Sequence, residues 1–319
     1  MKSFSLCACG GGQGKEAAAI PRRPSIVFLS IDTLGAGHTS FHGYSRKTTP
    51  CLDELAAEAA RLAPLAARHA EVIRQDLDAG EDLSQLEFDL AVVVGGDGSM
   101  LRAAHQMGRR QRPIVGVNLG KLGFLADLLP EEFVVRLPAI CSGQYEVVEH
   151  LMYECSVIRA GQVTQERLGL NEVAVLAGPP FAILDIDLYV DSELVTTYSC
   201  DGLIVSTPVG STAHNLSAGG PILRQDLQAF VISPISPHTL TNRPVVDSAD
   251  RIYEVVVARP HPGTSVVADG RMVCQLEPED RVRVERSDAR FRLISLPGHT
   301  YYRTLREKLG WGGRLNSKR

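Results

Sequence analysis

Apolar and polar positions follow two different patterns along the chain. Ser25–Leu34 (Ser-Ile-Val-Phe-Leu-Ser-Ile-Asp-Thr-Leu) is a short apolar run ending in an acid, and Leu90–Val94 and Ile114–Val117 are apolar without a break. Such runs predict strands buried on both faces of a parallel sheet. Between the first two, Leu52, Leu55, Ala59 and Leu62 recur at helical spacing. Pro64 follows, and a proline costs roughly 3 kcal/mol inside a helix. The helix is therefore expected to stop there, with a second short helix over Ala66–Arg74. After Val94 comes Gly95-Gly96-Asp97-Gly98-Ser99, then a helical stretch from Met100 to about Met107. Strand, glycine turn, helix and strand in that order predict a doubly wound α/β sheet.

Beyond Gly143 the pattern alternates. Glu154–Arg159, Asp185–Val190 and Arg281–Glu285 place polar and apolar residues in turn, separated by Gly, Pro and Asp turns. That predicts half-buried antiparallel strands, and Thr304–Leu309 is compatible with a last short helix. The fold class is α/β: an N-terminal Rossmann-like α/β domain carrying the GGDG loop, and a C-terminal β-rich, antiparallel domain. Expected boundaries are 1–23 for a disordered start, 24–62 for a separate strand and helix, 63–143 for the α/β domain and 144–295 for the β-rich domain, with 296–319 joined to the α/β domain because Tyr301–Trp311 resembles the tail of a known family.

Composition narrows the partners. The 319 residues are 44% hydrophobic and 22% charged, ordinary values for a packed core. The net charge of −4 gives no general attraction to nucleic acid or an acidic membrane, so a phosphate site must be built locally. Cys7, Cys9, Cys51, Cys141, Cys155, Cys200 and Cys274 are odd in number and include no Cys-x-x-Cys pair. Reduced thiols in a cytoplasm fit better than a disulfide frame or a zinc site. No apolar run approaches the ~18 residues of a membrane helix. Leu6-Cys7-Ala8-Cys9 has the shape of a lipoprotein cleavage box, but the apolar stretch before it is too short for a signal peptide.

Three segments carry candidate chemistry. In Gly95–Ser99 the glycines let backbone amides approach an anion, and the helix N-terminus adds partial positive charge. Asp97 would repel a phosphate there unless it binds magnesium or accepts a proton, both of which belong to phosphoryl transfer. A tight turn with a helix-capping Asp fits the same residues. Asp201–Pro221 (Asp-Gly-Leu-Ile-Val-Ser-Thr-Pro-Val-Gly-Ser-Thr-Ala-His-Asn-Leu-Ser-Ala-Gly-Gly-Pro) is a strand entering a stretch of hydroxyls and small residues. A flat, polyhydroxylated ligand could lie close against such a surface. Asn171-Glu172, at the edge of the Val173–Val175 strand, suits the two hydroxyls of a ribose, although such a pair is usually solvated surface.

Gly95–Ser99, Gly116–Leu125, Asn171–Glu172, Asp201–Pro221 and Pro234–Pro244 resemble, in order and spacing, the signature blocks of bacterial NAD kinases, and Tyr301–Trp311 resembles that family's tail. The resemblance implies phosphorylation of the adenosine 2′-hydroxyl of NAD by ATP or polyphosphate, with Mg2+ carried on the nucleotide and no dedicated metal site. It implies Asp97 as the base and Gly95, Gly96, Gly98, Ser99 and Arg102 around the phosphate donor. NAD would meet Asp97, Gly98, Phe124, Asn171, Glu172, Asp201, Thr212, Ala213, His214, Asn215, Leu216 and Ser217. It also implies a cytoplasmic homodimer or homotetramer without nucleic-acid or membrane partners.

The chain departs from the family pattern at Val209 (commonly Thr), at His214-Asn215 (Tyr-Ser), at Ser99 (Thr) and at Arg271 (Gln). Altered affinity rather than lost chemistry is expected from these. Residues 24–62 are similar instead to the opening of sulfatases, through Asp32-Thr33-Leu34, His38, Gly43-Tyr44, Thr48-Thr49-Pro50 and Leu52–Glu58. The Cys-x-Pro-x-Arg motif of that family is absent, and one acid cannot hold a catalytic metal. The chain thus looks like a fusion joined near Pro64, with Ser25–Leu34 standing in for the kinase's first strand and Leu52–Leu62 for its first helix. The alternatives are a lipid or sugar kinase with a GGDG loop and a non-catalytic NAD-binding fusion protein.

Overall fold

A four-stranded parallel sheet forms one end of the molecule in the computed structural model, which describes residues 23–30, 50–76, 81–119, 123–126, 128–179, 181–239, 241–298 and 300–310. Asp32, His38, Tyr44, the cleavage-box residues, Gly120–Leu122 and Trp311 lie outside them.

The chain enters through β1 (Ser25–Ser30) and α1 (Pro50–Ala66), then β2 (Glu71–Asp76), β3 (Leu90–Val94), α2 (Asp97–Met107), β4 (Ile114–Val117) and α3 (Pro130–Cys141). The strand order is β2-β1-β3-β4, all parallel. β1 is thus interior, paired on both sides. Ile26 and Phe28 pack towards α1 and α3, while Val27 and Leu29 pack towards α2. The Ser25 amide and hydroxyl both donate to Asp89 Oδ2, at 2.8 and 2.9 Å, and tie the start of β1 to the lead-in of β3.

Two expectations fail here. The first helix continues through Pro64 to Ala66. Pro64 sits in its last turn on the exposed side, where the Ala60 carbonyl left without its donor can meet water, while Ala59, Leu62, Ala63 and Ala66 stay buried on the other face. The short helix expected over Ala66–Arg74 is instead a turn and the edge strand β2.

The antiparallel part contains β5 (Glu146–Arg159), β6 (Gln162–Gly169), β7 (Glu172–Leu176), β8 (Leu184–Val190), β9 (Glu193–Cys200) and β10 (Gly202–Ser206). A single turn over Gly210–Thr212 and the short α4 (His214–Ser217) follow. Then come β11 (Ala229–Ile235), β12 (Val245–Ser248), β13 (Tyr253–Val257), β14 (Ser265–Ala268), β15 (Arg271–Gln275), β16 (Arg281–Ser295) and α5 (Tyr301–Leu309). Six strands in the order β12-β11-β10-β7-β14-β15 make one sheet. Its apolar face and that of β5, β8, β13 and β16 enclose a core that includes Tyr153, Phe230 and Tyr253.

β16 joins the two halves. Arg281–Val284 pairs with β13, Arg290–Ser295 with the start of β5, and Leu293 lies parallel to Ile114 of β4. One ten-stranded sheet runs through both halves, with β5 and β16 spanning them.

Candidate active site

The GGDG segment leaves β3 at its carboxyl end and opens α2. Gly96 is the N-cap and offers no side chain, so the first-turn amides have no side-chain acceptor from the cap. A Cβ added at Gly96 or Gly98 would meet nothing within 4 Å, so both face open space. Asp97 does not cap its own helix. Its carboxylate reaches across to the 123–126 loop, where Oδ2 accepts from the Phe124 amide (2.9 Å) and Oδ1 from Leu125 (2.9 Å) and Ala126 (3.2 Å). The approach leaves no room at Gly123, where a Cβ would collide with Asp97 Oδ1. Lys308 of α5, which the sequence did not single out, puts its ammonium 3.8 Å from Asp97 Oδ2 and 5.1 Å from the centre of the Phe124 ring. Arg102 is half-buried on α2, and Ser99 packs its hydroxyl beneath Gly95.

The second centre is organised by a residue that the sequence pattern does not reveal. Asp269, with a side chain 0% exposed, accepts from the amides of Leu170 (2.8 Å), Asn171 (2.8 Å) and Glu172 (3.1 Å), from Tyr153 Oη (2.8 Å) and from His105 Nε2 (2.7 Å). Burial pushes its pKa up, but these donors, the His105 hydrogen bond foremost, outweigh it and hold the pKa below the ordinary carboxylate value. Asp269-Gly270 is the two-residue turn between β14 and β15, with φ of 46° and 74°. Asp-Gly between two apolar-rich strands is a readable hairpin signal, but the five donors come from distant segments.

The neighbouring Glu172 is 6% exposed. Burial first, and the Asp269 charge second, push its carboxyl up to about 8, while a hydrogen bond donated by the His214 backbone amide opposes the rise. Its Oε2 is buried and has no hydrogen-bond partner among the described residues. A neutral carboxyl with an open oxygen fits a hydroxyl-bearing ligand. Because His105 lies on α2, about two turns from Asp97, one helix fixes both centres.

The hydroxyl-rich segment divides in two. Ser206, Thr207 and Ser211 are fully buried and spend their hydroxyls on backbone carbonyls: Asn171 and Thr207 for Ser206, Leu170 for Thr207, and Pro208 for Ser211. They fasten this segment to Leu170–Asn171 rather than facing a ligand. Gly210 completes the contact, since a Cβ there would strike the Asn171 carbonyl. Asn215 is buried too, donating to the Ser211 and Pro221 carbonyls at 3.0 Å and accepting from Ser233 Oγ at 2.6 Å, so its amide supports the segment from inside. Thr212 donates to the Val209 carbonyl. Thr212, Ala213, His214 and Leu216 are half-buried and Ser217 is exposed. Asp201 stands 3.7 Å from His238 Nε2 with its side chain 47% exposed. Of the departures, Val209 is core, packed in the cluster that holds Met100 and Ala103, and Arg271 is exposed.

A helix N-terminus opened by bare glycines, beside a carboxylate held rigid by three amides, equips a protein to move a phosphoryl group onto a hydroxyl. Family models agree on the class and narrow it: the ATP-NAD kinase N-terminal domain matches residues 46–145 and the C-terminal domain residues 170–296. An NAD kinase of Rhodopirellula baltica is 58% identical over 255 residues, covering 80% of this chain and 82% of that protein. An NAD kinase of Geotalea daltonii is 39% identical over 254 residues, covering 79% and 89%. Among solved structures, an Archaeoglobus fulgidus NAD kinase in complex with ATP superposes with a TM-score of 0.65 at 28% identity, covering 90% of this chain and 98% of that one. A yeast NADH kinase complexed with NADH shares the fold, with a TM-score of 0.78 at 20% identity over 94% and 91% of the chains. The chain belongs to the NAD kinase family and phosphorylates NAD to NADP. The N-terminal match starts at residue 46, ahead of the join expected near Pro64.

Proposed function

We propose that the reaction is transfer of the γ-phosphoryl of MgATP to the adenosine 2′-hydroxyl, with Asp97 as the general base. The carrying observation is the carboxylate's orientation: three loop amides fix Asp97 at the mouth of the glycine turn, where the open flanks of Gly96 and Gly98 leave room for phosphates. Fixed geometry and a proton acceptor at the reacting oxygen are what this transfer needs from a protein.

Gly95, Gly96, Gly98, Ser99 and Arg102 attend the donor. Asn171 and the open Oε2 of Glu172 take the ribose, while Asp201, Thr212, Ala213, His214, Leu216, Ser217 and Phe124 line the remainder of the NAD site. The donor site belongs to 63–143 with 296–319, extended by β1 and α1, and the NAD site to 144–295. Magnesium enters as part of the substrate. Among the described residues no three His, Cys, Asp or Glu side chains gather as a metal cage, and an ion that keeps phosphate and water ligands needs none.

No helix among the described residues is long and apolar enough to cross a membrane, and Cys141, Cys155, Cys200 and Cys274 are free thiols. The free thiols suit a cytoplasmic enzyme. Exposed Leu194 and Val195 on the edge strand β9, with Val245 and Val246 on the edge strand β12, suit a homodimer or homotetramer.

The test is NADP formation from NAD with MgATP, and with polyphosphate, by the native chain and by Asp97→Asn. The expected result is turnover with ATP that falls at least 100-fold in the variant while NAD still binds, the scale of a lost general base. Equal turnover by both would remove Asp97 from the chemistry.

A further inference from the structure

We propose that Lys308 is a second catalytic residue, whose ammonium meets the phosphoryl group in flight beside Asp97. The inference rests on Asp97 being the base. Asp97 Oδ1 already accepts from two amides and Oδ2 from one, so the lone pair free to take a proton is on Oδ2. The sugar hydroxyl must then lie within about 3 Å of Oδ2, and the phosphorus it attacks about 3–3.5 Å beyond the hydroxyl oxygen.

Lys308 Nζ borders this space, 3.8 Å from Oδ2. Its 3.8 Å separation from Oδ2 exceeds a hydrogen bond, so the carboxylate does not consume the ammonium's donors. The 5.1 Å approach to the Phe124 ring lays the cation against an aromatic face and limits where it can go. Phe124 also supplies the amide that holds Oδ2, so one residue positions both charges. The helix is anchored at its other end, where Tyr301 Oη donates to the Leu223 carbonyl at 2.8 Å. The Leu223 amide in turn donates to Ser211 Oγ, inside the segment that backs the NAD site.

In the step itself the 2′-hydroxyl proton passes to Asp97 Oδ2 and the oxygen's electron pair forms the bond to the γ-phosphorus. The bond from that phosphorus to the β,γ-bridging oxygen breaks, and its pair leaves with ADP. Lys308 takes no part in the proton transfer and opposes the negative charge on the equatorial phosphoryl oxygens.

Three full-length variants test this. Lys308→Met keeps the stem over Phe124 and loses the charge, Lys308→Arg keeps a charge, and Asp97→Asn controls for the base. Melting temperature and NAD affinity without donor accompany the kinetics. The expected result is a fall of 100-fold or more in kcat for K308M, NAD affinity within threefold of native, and recovery of at least tenfold in K308R. If K308M does not fold, Lys308→Gln serves the same comparison. Turnover of the charge-deleted variant within threefold of native, or loss of NAD affinity in parallel with kcat, would overturn the proposal. If that happens while D97N is inactive, only the role of Lys308 falls. An active D97N would sink the reading of Asp97 and the inference together.

Discussion

Glu172→Gln should stabilise the unliganded protein above neutral pH and remove part of its pH dependence. The carboxyl's ordinary value of 4.5 is raised to about 8 in the fold, by burial first and by the Asp269 charge second. A folded-state pKa above the unfolded one means that folding favours the protonated group. The associated stability is complete below about pH 4.5 and is lost as pH rises through about 8. A tenfold change in proton affinity is worth about 1.4 kcal/mol, so the penalty on charged Glu172 approaches roughly 5 kcal/mol at its plateau. Gln is neutral at every pH and matches the protonated acid in shape. Urea unfolding of both proteins without ligand, at pH 5.5 and 7.5, isolates the effect because every other titrating group cancels. The stability difference between variant and native should shift in the variant's favour by roughly 3 kcal/mol across those two pH values. A shift under about 0.5 kcal/mol would mean that Glu172 is ionised and solvated in the folded protein, and the neutral-carboxyl account of the ribose site would go with it.

Three further outcomes follow from the packing. Asp269→Asn turns one acceptor into a donor that faces the Leu170 amide and His105, so about 3 kcal/mol of stability should go. The KM for NAD should rise as Asn171 and Glu172 loosen, and an unchanged denaturation midpoint would contradict the clamp. Gly123→Ala drives a methyl into Asp97 Oδ1, so kcat should fall at least tenfold while the melting temperature moves by only a few degrees; native kcat would show that the loop does not hold the carboxylate. Phe28→Ala empties a fully buried site beside Phe133, whose ring centre lies 6.4 Å away. That should cost about 3–5 kcal/mol, measured by urea unfolding, and a loss under 1 kcal/mol would place β1 outside the core.

What the sequence made legible follows from where each element sits. β3 and β4 are buried on both faces, so their apolar runs are read directly with their boundaries. β2 is a parallel edge strand in which Asp76 alone is fully buried, and its Glu, Arg and Gln read as readily as helix. Asp97 was readable because the glycines and the carboxylate that make the loop are contiguous. Asp269 was not, since it bonds residues up to 164 positions away, and no local pattern records such a partner. The hydroxyls of Ser206, Thr207 and Ser211 invited a ligand in sequence, yet they serve the backbone of Leu170, Asn171 and Pro208. A short polar side chain looks the same on paper whether it faces ligand or carbonyl.

The unusual beginning of the chain turns on the same distinction between local and distant demands. An interior parallel strand needs backbone groups that pair on both edges and apolar side chains on both faces. β1 meets both, with Ile26–Leu29 paired to Val72–Asp76 across a one-residue bulge on one side and in register against Leu90–Val93 on the other. Nothing in those demands is particular to phosphoryl transfer. The residues proposed to react come from the end of β3, the 123–126 loop, the Leu170–Glu172 edge and α5. Any strand that fills the slot can support them, and the residues proposed for the site, from Gly95 to Lys308, all lie outside it.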